Sequence, residues 1–320
     1  MTGPPKFPSF TAKFHNTSYP AIDPALPGLS AAGKNVVITG GGTGMDYSVV
    51  TVETCSNDHP VIGIGYATAL SFATAGAASV TLIGRRATQL QSAKHAIEDS
   101  VPGSAGRSRI HVQSADVVDQ EQVTAAFQKI ADTVGPLNIL VNGAGYAASP
   151  SNVKSANVEE WWKACEVNLK GTFLTTQAFV QHKVPDDQES VILYISSGLS
   201  HVARGTGNSA YAASKAGAIR FFTTVQLEHP ETRVVCLHPG TIETDVLRKS
   251  HNVSGSVPNC DDVSLPANTM LWLASPEANF VKGKYIWANW NVEEMKARAA
   301  EIEGSDLLSM KLSGWPFTSK

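Results

Sequence analysis

The sequence predicts an α/β fold in which a parallel sheet is covered by helices on both faces. Short runs rich in β-branched residues alternate along the chain with longer stretches of helical pattern, and this alternation is typical of parallel sheets. The predicted strands are Asn35–Thr39, Ser79–Ile83, Arg109–Val112, Asn138–Val141, Ser190–Ile195 and Arg233–Leu237. The clearest predicted helices are Ala67–Ala75, Gln120–Val134, Val158–Gln181 and Tyr211–Leu227.

Composition limits the classes of protein to which the chain can belong. Of its 320 residues, 42% are hydrophobic and 17% are charged, which is ordinary for a globular protein. A net charge of −3 does not favour nucleic acid or an anionic membrane as a partner. The chain has no apolar run of membrane-spanning length and no apolar signal core at its start, so a cytoplasmic protein is expected.

The chain divides into one large domain with an extension at each end. Residues 1–30 are rich in Pro and Ser and are expected to lie over the surface or over a partner subunit. The main domain is expected to cover residues 31–290, and residues 291–320 form a C-terminal extension. The four cysteines are scattered and the histidines have no ligand spacing, so neither a disulfide framework nor a metal site is expected.

A glycine-rich segment follows the first predicted strand. Residues 39–44 read TGGGTG, beginning with Thr39 and Gly40 and ending with Gly44. Glycines allow positive φ angles and let backbone N–H groups approach a pyrophosphate. The place of this segment, after a strand and before a helix, indicates a dinucleotide site.

The end of the second predicted strand bears on the choice of nicotinamide. Enzymes that use NAD usually place Asp or Glu here, to bind the adenosine ribose hydroxyls. This chain has Gly84 instead, followed by Arg85 and Arg86, whose guanidinium groups match a 2′-phosphate in shape and charge. The predicted cofactor is therefore NADP(H).

The strongest chemical signal is the sequence YAASK, with Tyr211 and Lys215 one helical turn apart on one helix face. A phenol has a pKa near 10, and a nearby ammonium group favours the phenolate. Tyr211 can then give a proton to a carbonyl oxygen, or take one in the reverse direction.

These and further motifs, in this order, resemble the short-chain dehydrogenase/reductase family. The family's T-G-x-x-x-G-x-G turn, its N-N-A-G turn, its N-x-x-G helix kink, its serine, its Y-x-x-x-K pair and its P-G-x-x-x-T segment all have counterparts here. The counterparts begin at Thr39, Asn142, Asn168, Ser197, Tyr211 and Pro239. One departure is that Gly143 replaces the second Asn of the N-N-A-G turn.

The resemblance implies a role for each matched residue. Ser197 would bind the substrate oxygen, and is preferred to Ser196. Tyr211 would be the acid/base, Lys215 would tune Tyr211 and hold the nicotinamide ribose, and Asn168 would complete a proton relay. The implied cofactor contacts are Thr39, Gly40, Gly44, Ile64, Gly65, Arg85, Arg86, Asp116, Asn142, Tyr211, Lys215, Ile242 and Thr244.

The phosphate-binding motif is interrupted by residues 45–63. Without them the join reads TGGGTGIGYATAL, which is an unbroken family motif. Either the segment is a surface insertion that loops out, or it is a translated intron, since degenerate codons permit splice signals in the correct order. The intron is the favoured hypothesis, and the transcript sequence tests it.

The resemblance implies a single doubly wound Rossmann fold with about seven parallel strands, a substrate lid at residues 245–265 and a homodimer or homotetramer. The implied activity is NADP(H)-dependent interconversion of a ketone or aldehyde with an alcohol. Two alternatives stay open: a non-catalytic NADP(H)-binding regulator on the same fold, and a chain inactivated by residues 45–63. The substrate itself is not readable from the sequence.

Overall fold

The molecule is a three-layer α/β structure, in which helices cover both faces of one parallel sheet. The computed structural model describes residues 9–42, 63–101, 108–202, 206–251 and 259–312. Gly44 and residues 45–62 of the predicted insertion lie outside the described residues, as does the middle of the predicted lid, residues 252–258.

The sheet has seven parallel strands in the order β3-β2-β1-β4-β5-β6-β7, as the doubly wound fold requires. Six of its strands are largely buried, which explains their runs of Val, Ile and Leu, whereas the edge strand Arg109–Ser114 is partly exposed. The bounds are β1 Asn35–Thr39, β2 Ser79–Gly84, β3 Arg109–Ser114, β4 Ile139–Asn142, β5 Ser190–Ile195, β6 Thr232–His238 and β7 Tyr285–Trp287.

The strand order reverses between β1 and β4. Chain connections leave these two neighbours in opposite directions, so a crevice opens beyond their carboxyl ends. The motifs predicted from the sequence follow β1, β2, β4, β5 and β6, and therefore lie along this one edge of the sheet.

Ten α-helices connect or flank the strands within the described part of the chain. They are α1 Ile64–Thr74, α2 Ala87–Ser100, α3 Gln120–Val134, α4 Val158–Cys165, α5 Thr172–His182, α6 Ser209–Glu228, α7 Asp245–His251, α8 Ser264–Ala274, α9 Val292–Ala297 and α10 Ala299–Glu303. None of the helices in the described ranges combines the length and the apolar character that a membrane span needs.

The prediction of one continuous α-helix over Val158–Gln181 is wrong in the middle of that range. Helix α4 ends at Cys165, a π-helical segment occupies Glu166–Gly171, and α5 begins at Thr172. Hydropathy patterns do not reveal such a segment, because a single π turn is too short to show a period of its own. The wider turn places Asn168 at the point where the helix packs against the site, and such turns are frequent at functional sites.

The described part of the N-terminal arm packs on its own subunit. The Glu294 carboxylate accepts hydrogen bonds from the backbone N–H groups of Ala12 and Lys13, at 2.6 and 3.0 Å. The Tyr19 hydroxyl donates to the Trp290 carbonyl at 3.1 Å. The arm therefore joins the C-terminal extension, and the two extensions support each other at one end of the sheet.

Candidate active site

Lys215 lies near the centre of the predicted site. It is buried on α6, and its ammonium donates a hydrogen bond to the carbonyl of Ile195, the last residue of β5, at 2.7 Å. Loss of hydration on burial lowers the pKa of Lys215 to about 7. A Cβ atom added to Gly145 would stand 3.8 Å from the Lys215 Nζ, so the backbone of the β4 loop passes close to the amine.

Tyr211 shares the helix face of Lys215. The Lys215 Nζ stands 5.8 Å from the centre of the Tyr211 ring. Burial raises the pKa of Tyr211 to about 12, while a hydrogen bond with the Ser197 side chain lowers it. The Tyr211 phenol is therefore protonated at neutral pH. It can donate its proton at a place that the Ser197 hydroxyl also reaches.

Asn168 is fixed by three hydrogen bonds. Its amide nitrogen donates to the Tyr146 carbonyl at 2.8 Å and to the Ser214 hydroxyl at 2.9 Å. Its amide oxygen accepts from the Tyr146 N–H at 2.8 Å. The side chain ties the π segment to the β4 loop and to α6. We call Ser197, Tyr211, Lys215 and Asn168 the Tyr–Lys corner.

The glycine turn after β1 is assembled from backbone contacts. The Thr39 hydroxyl accepts hydrogen bonds from the N–H groups of Gly143 and Ala144, both at 3.1 Å. Gly40 has a φ of 77°, and a Cβ there would lie 2.9 Å from the Ala144 nitrogen. Only glycine fits such a position without strain.

Gly65 closes the turn from the other side of the predicted insertion. A Cβ on Gly65 would lie 2.8 Å from the Gly40 carbonyl oxygen, so the start of α1 packs directly on the turn. The structure therefore brings Thr39 and Gly40 together with Ile64 and Gly65, as the unbroken motif would. We call residues 39–42 with Ile64 and Gly65 the phosphate turn.

The phosphate turn fits a dinucleotide. Its glycines let the strand end, the β4 loop and the start of α1 pack backbone against backbone, and the N-terminus of α1 presents backbone N–H groups there. Further along the edge, Arg85 and Arg86 are exposed after β2. The Asp116 carboxylate accepts from the Val118 N–H at 3.2 Å within its own turn.

Three other predicted cofactor contacts have structural partners. Asn142 is buried, and its amide bonds to the hydroxyls of Thr175 and Thr176 on α5, at 2.6 and 3.1 Å. Ile242 is buried and pairs with Asp261 through the backbone. The Thr244 hydroxyl accepts from the Leu247 N–H at 3.2 Å, at the start of α7.

One cluster at the site gives no sequence signal. Lys249 of α7 donates to the Tyr146 hydroxyl at 2.6 Å and pairs with Glu160 of α4 at 3.2 Å. The Tyr146 hydroxyl also donates to the Glu160 carboxylate. This cluster fastens the first helix of the predicted lid to the β4 loop. Its members are far apart in the chain, so spacing does not connect them.

Comparison with known proteins settles the family. The family description "short chain dehydrogenase" matches residues 61–253. Short chain dehydrogenase mpl6 of Monascus purpureus is 32% identical over 308 residues, which cover 95% of this chain and 96% of that protein. The chain belongs to the short-chain dehydrogenase family. It is therefore a member of an oxidoreductase family that uses nicotinamide cofactors and acts on small molecules.

Other relatives agree with this membership. Short chain dehydrogenase andI of Emericella variicolor is 28% identical, with 96% of this chain and 97% of that protein covered. A short chain dehydrogenase from Burkholderia cenocepacia, crystallised in complex with NADP, has a TM-score of 0.65 and 23% identity, with 82% of this chain and 99% of that chain covered. A dehydrogenase/reductase from Sinorhizobium meliloti has a TM-score of 0.65 and 24% identity, with 83% and 96% covered. The solved structures agree with the fold.

Proposed function

We propose that the protein is an NADP(H)-dependent oxidoreductase that interconverts a ketone or aldehyde with an alcohol. The observation that carries the proposal is the Tyr–Lys corner. A partly buried phenol, a buried amine and a serine hydroxyl meet at the carboxyl edge of a parallel sheet, beside a turn fit for a dinucleotide. When bound, NADPH would supply the hydride in the reducing direction, and NADP⁺ would accept it in the oxidising direction.

Tyr211 is the proton donor in the reducing direction. Its hydroxyl is protonated at neutral pH because burial disfavours the phenolate, and it is hydrogen-bonded to Ser197. A carbonyl oxygen held between these two hydroxyls receives the phenolic proton as negative charge develops on it. In the oxidising direction the phenolate takes the proton from the alcohol.

Lys215 makes this transfer possible at working pH. A protonated amine near the ring stabilises the phenolate that Tyr211 becomes, and so lowers the barrier to proton loss. With its pKa near 7, the amine gains or loses its proton easily. Asn168 fixes the β4 loop beside it and is the proposed anchor of the relay that returns a proton to the corner.

Two arginines support NADP(H) over NAD(H). Arg85 and Arg86 follow β2, where the cofactor's adenosine ribose is expected, and no acidic residue ends that strand. Their exposed guanidinium groups suit a 2′-phosphate. The relative from Burkholderia cenocepacia was crystallised with NADP, which agrees with this choice.

The proposed assembly is a homodimer or homotetramer. Trp162, Phe173 and Leu227 are exposed apolar side chains on α4, α5 and α6, and their fractional exposures are 58%, 42% and 77%. Exposed apolar groups on neighbouring helices favour a protein interface. The molar mass in solution, measured by light scattering, tests this assembly.

The function is tested by cofactor titration followed by turnover. Binding of NADPH and NADH to the full chain is measured by quenching of tryptophan fluorescence, and a panel of ketones and aldehydes is then screened by NADPH absorbance. The proposal expects tighter binding of NADPH and reduction of at least one carbonyl. Binding without turnover of any carbonyl favours the regulator, and no binding of either cofactor rejects the cofactor assignment.

A further inference from the structure

The backbone at Ser197 is held by side chains to which the proposed mechanism gives no role. The Tyr285 hydroxyl of β7 donates a hydrogen bond to the Ser197 carbonyl at 2.8 Å, and the Ser200 hydroxyl donates to the same carbonyl at 2.6 Å. The next N–H group, that of Gly198, donates to Nδ1 of His238 at 2.9 Å. These three hydrogen bonds therefore fix the peptide unit between Ser197 and Gly198.

His238 is built into this place as a neutral acceptor. The ring lies at the end of β6, and Trp287 meets it edge to face with 4.5 Å between the ring centres. Burial lowers the pKa of His238 to about 3, so the ring is neutral at physiological pH. Because Nδ1 accepts a hydrogen bond, the ring hydrogen resides on Nε2.

The His238 ring packs directly against the backbone at Gly198. A Cβ at that position would lie 3.4 Å from both Cε1 and Nε2 of the ring, which is ordinary van der Waals contact. Tyr285 approaches Ser197 from the next strand, so β5, β6 and β7 all contribute to the same support.

The Ser197 side chain needs this support because its own contacts fix it weakly. Its hydroxyl accepts from the Leu199 N–H at 3.3 Å, which is a long hydrogen bond. Its remaining partner is Tyr211, which moves a proton during the reaction. The direction of the hydroxyl is then set by the backbone, and an error of about 1 Å in placing such a group costs about 100-fold in rate.

We propose that His238 and Tyr285 are positioning residues for Ser197. They hold residues 197 and 198 so that the serine hydroxyl faces Tyr211 and the substrate oxygen, and neither side chain touches the reacting atoms. This inference rests on the proposed function, since it assigns both residues to the same carbonyl site. It adds to the Tyr–Lys corner two residues from the last two strands of the sheet.

Substitutions at His238 separate positioning from packing. His238→Asn keeps an acceptor near the place of Nδ1, whereas His238→Leu keeps the bulk and removes the acceptor. For the Leu variant we expect kcat to fall about 50-fold while the Kd of NADPH stays within about threefold. The Asn variant is expected to keep a kcat about tenfold above that of the Leu variant.

Substitutions at Tyr285 test the second support, and a matched tyrosine on β5 serves as the control. Tyr285→Phe removes only the hydroxyl that holds the Ser197 carbonyl, and we expect kcat to fall about fivefold to tenfold. The Tyr194 hydroxyl is buried without a hydrogen-bond partner among the described residues. Tyr194→Phe is therefore expected to change kcat by less than about twofold.

A spectroscopic readout makes the inference independent of turnover. In ¹⁵N-detected NMR, His238 is expected to show a bare Nδ1 and a protonated Nε2 across the neutral pH range, in unsubstituted protein. A His238 that titrates near neutral pH, or that carries its proton on Nδ1, overturns the inference. The same holds if His238→Leu keeps full kcat, or if Asn and Leu lose kcat equally.

The two proposals fail in distinguishable ways. If Ser197→Ala and Tyr211→Phe keep full turnover, the proposed carbonyl chemistry is wrong, whatever His238 does. If both lose turnover while His238→Leu and Tyr285→Phe keep it, the chemistry stands and only the positioning role is rejected. Binding of NADPH by every variant confirms that each chain is folded.

Discussion

At the Tyr–Lys corner side chains hold one another, whereas at the phosphate turn the backbone packs on itself. Asn168 alone makes three hydrogen bonds, and Lys215 is buried against a strand carbonyl. At the turn, Gly40 and Gly65 touch through atoms that any side chain would displace. The Tyr–Lys corner thus depends on particular side chains, whereas the phosphate turn depends on glycines, which have none.

The same difference decides how an insertion in the chain would affect each region. The corner draws on β5, α6 and the π segment, so it is complete within residues 142–215. The turn needs two pieces of chain, 39–42 and 64–65, that residues 43–63 separate in sequence. In the proposed function the corner carries out the chemistry and the turn binds the cofactor, so substitutions in the two regions should change different measured quantities.

The largest effect is expected from breaking the corner. Tyr211→Phe removes the proton donor and keeps the ring, so kcat should fall about 10³-fold. The phosphate turn does not contact this residue, so the Kd of NADPH should stay within about threefold. Steady-state kinetics and fluorescence titration measure the two quantities. A kcat within tenfold of the unsubstituted chain would remove Tyr211 from the mechanism.

The second prediction concerns the segment that interrupts the phosphate-binding motif. Deletion of residues 45–63 joins Gly44 to Ile64 and restores a contiguous motif, so NADPH should bind about 100-fold more tightly than to the full chain. Adding Gly40→Ala to the shortened chain should abolish the gain, because the new Cβ would meet the backbone of Gly143 and Ala144. Equal affinity of the long and short chains shows instead that residues 45–63 loop out harmlessly.

The third prediction tests the far end of the cofactor site. Replacing Arg85 and Arg86 together by Ala should weaken NADPH binding about tenfold and leave NADH binding unchanged, because only NADPH carries the 2′-phosphate. Gly84→Asp is the matched opposite change, since it supplies the acid that ribose hydroxyls bind. Loss of both cofactors in equal measure would place the arginines outside the 2′-phosphate site.

The smallest expected effect is a change in melting temperature, which shows how far burial of Lys215 destabilises the folded protein. The pKa of Lys215 lies below its usual value, so the unfolded state binds more protons, and the contribution of Lys215 to stability decreases as the pH falls from about 10 to about 7. At pH 7, Lys215→Met should therefore raise the melting temperature by about 2 °C or more while abolishing turnover. A lower melting temperature would mean that the bond to Ile195 outweighs the cost of burial.

The sheet was predictable because each strand is local in sequence. Ser190–Ile195 and Gln120–Val134 match the predicted bounds, since continuous apolar runs and amphipathic periods mark them clearly. Position after a strand then placed Ser197 and Tyr211 at one edge. The expectation of a parallel, doubly wound sheet with about seven strands is confirmed.

What escaped prediction depends on contacts between distant parts of the chain. The π turn at Asn168 follows from bonds to Tyr146 and Ser214, neither of which alters local hydropathy. The sequence shows His238 in a His-Pro-Gly segment, but its hydrogen-bond partner Gly198 is forty residues earlier in the chain. A single sequence carries no signal that connects such pairs.

The hydrogen bonds between the N-terminal arm and α9 join segments that are made at very different times during translation. Ala12 pairs with Glu294, which is 282 residues later, so the arm is synthesised long before the helix on which it docks. All seven strands precede α9 in the chain. Docking of the arm on α9 is therefore expected only after the sheet has been synthesised.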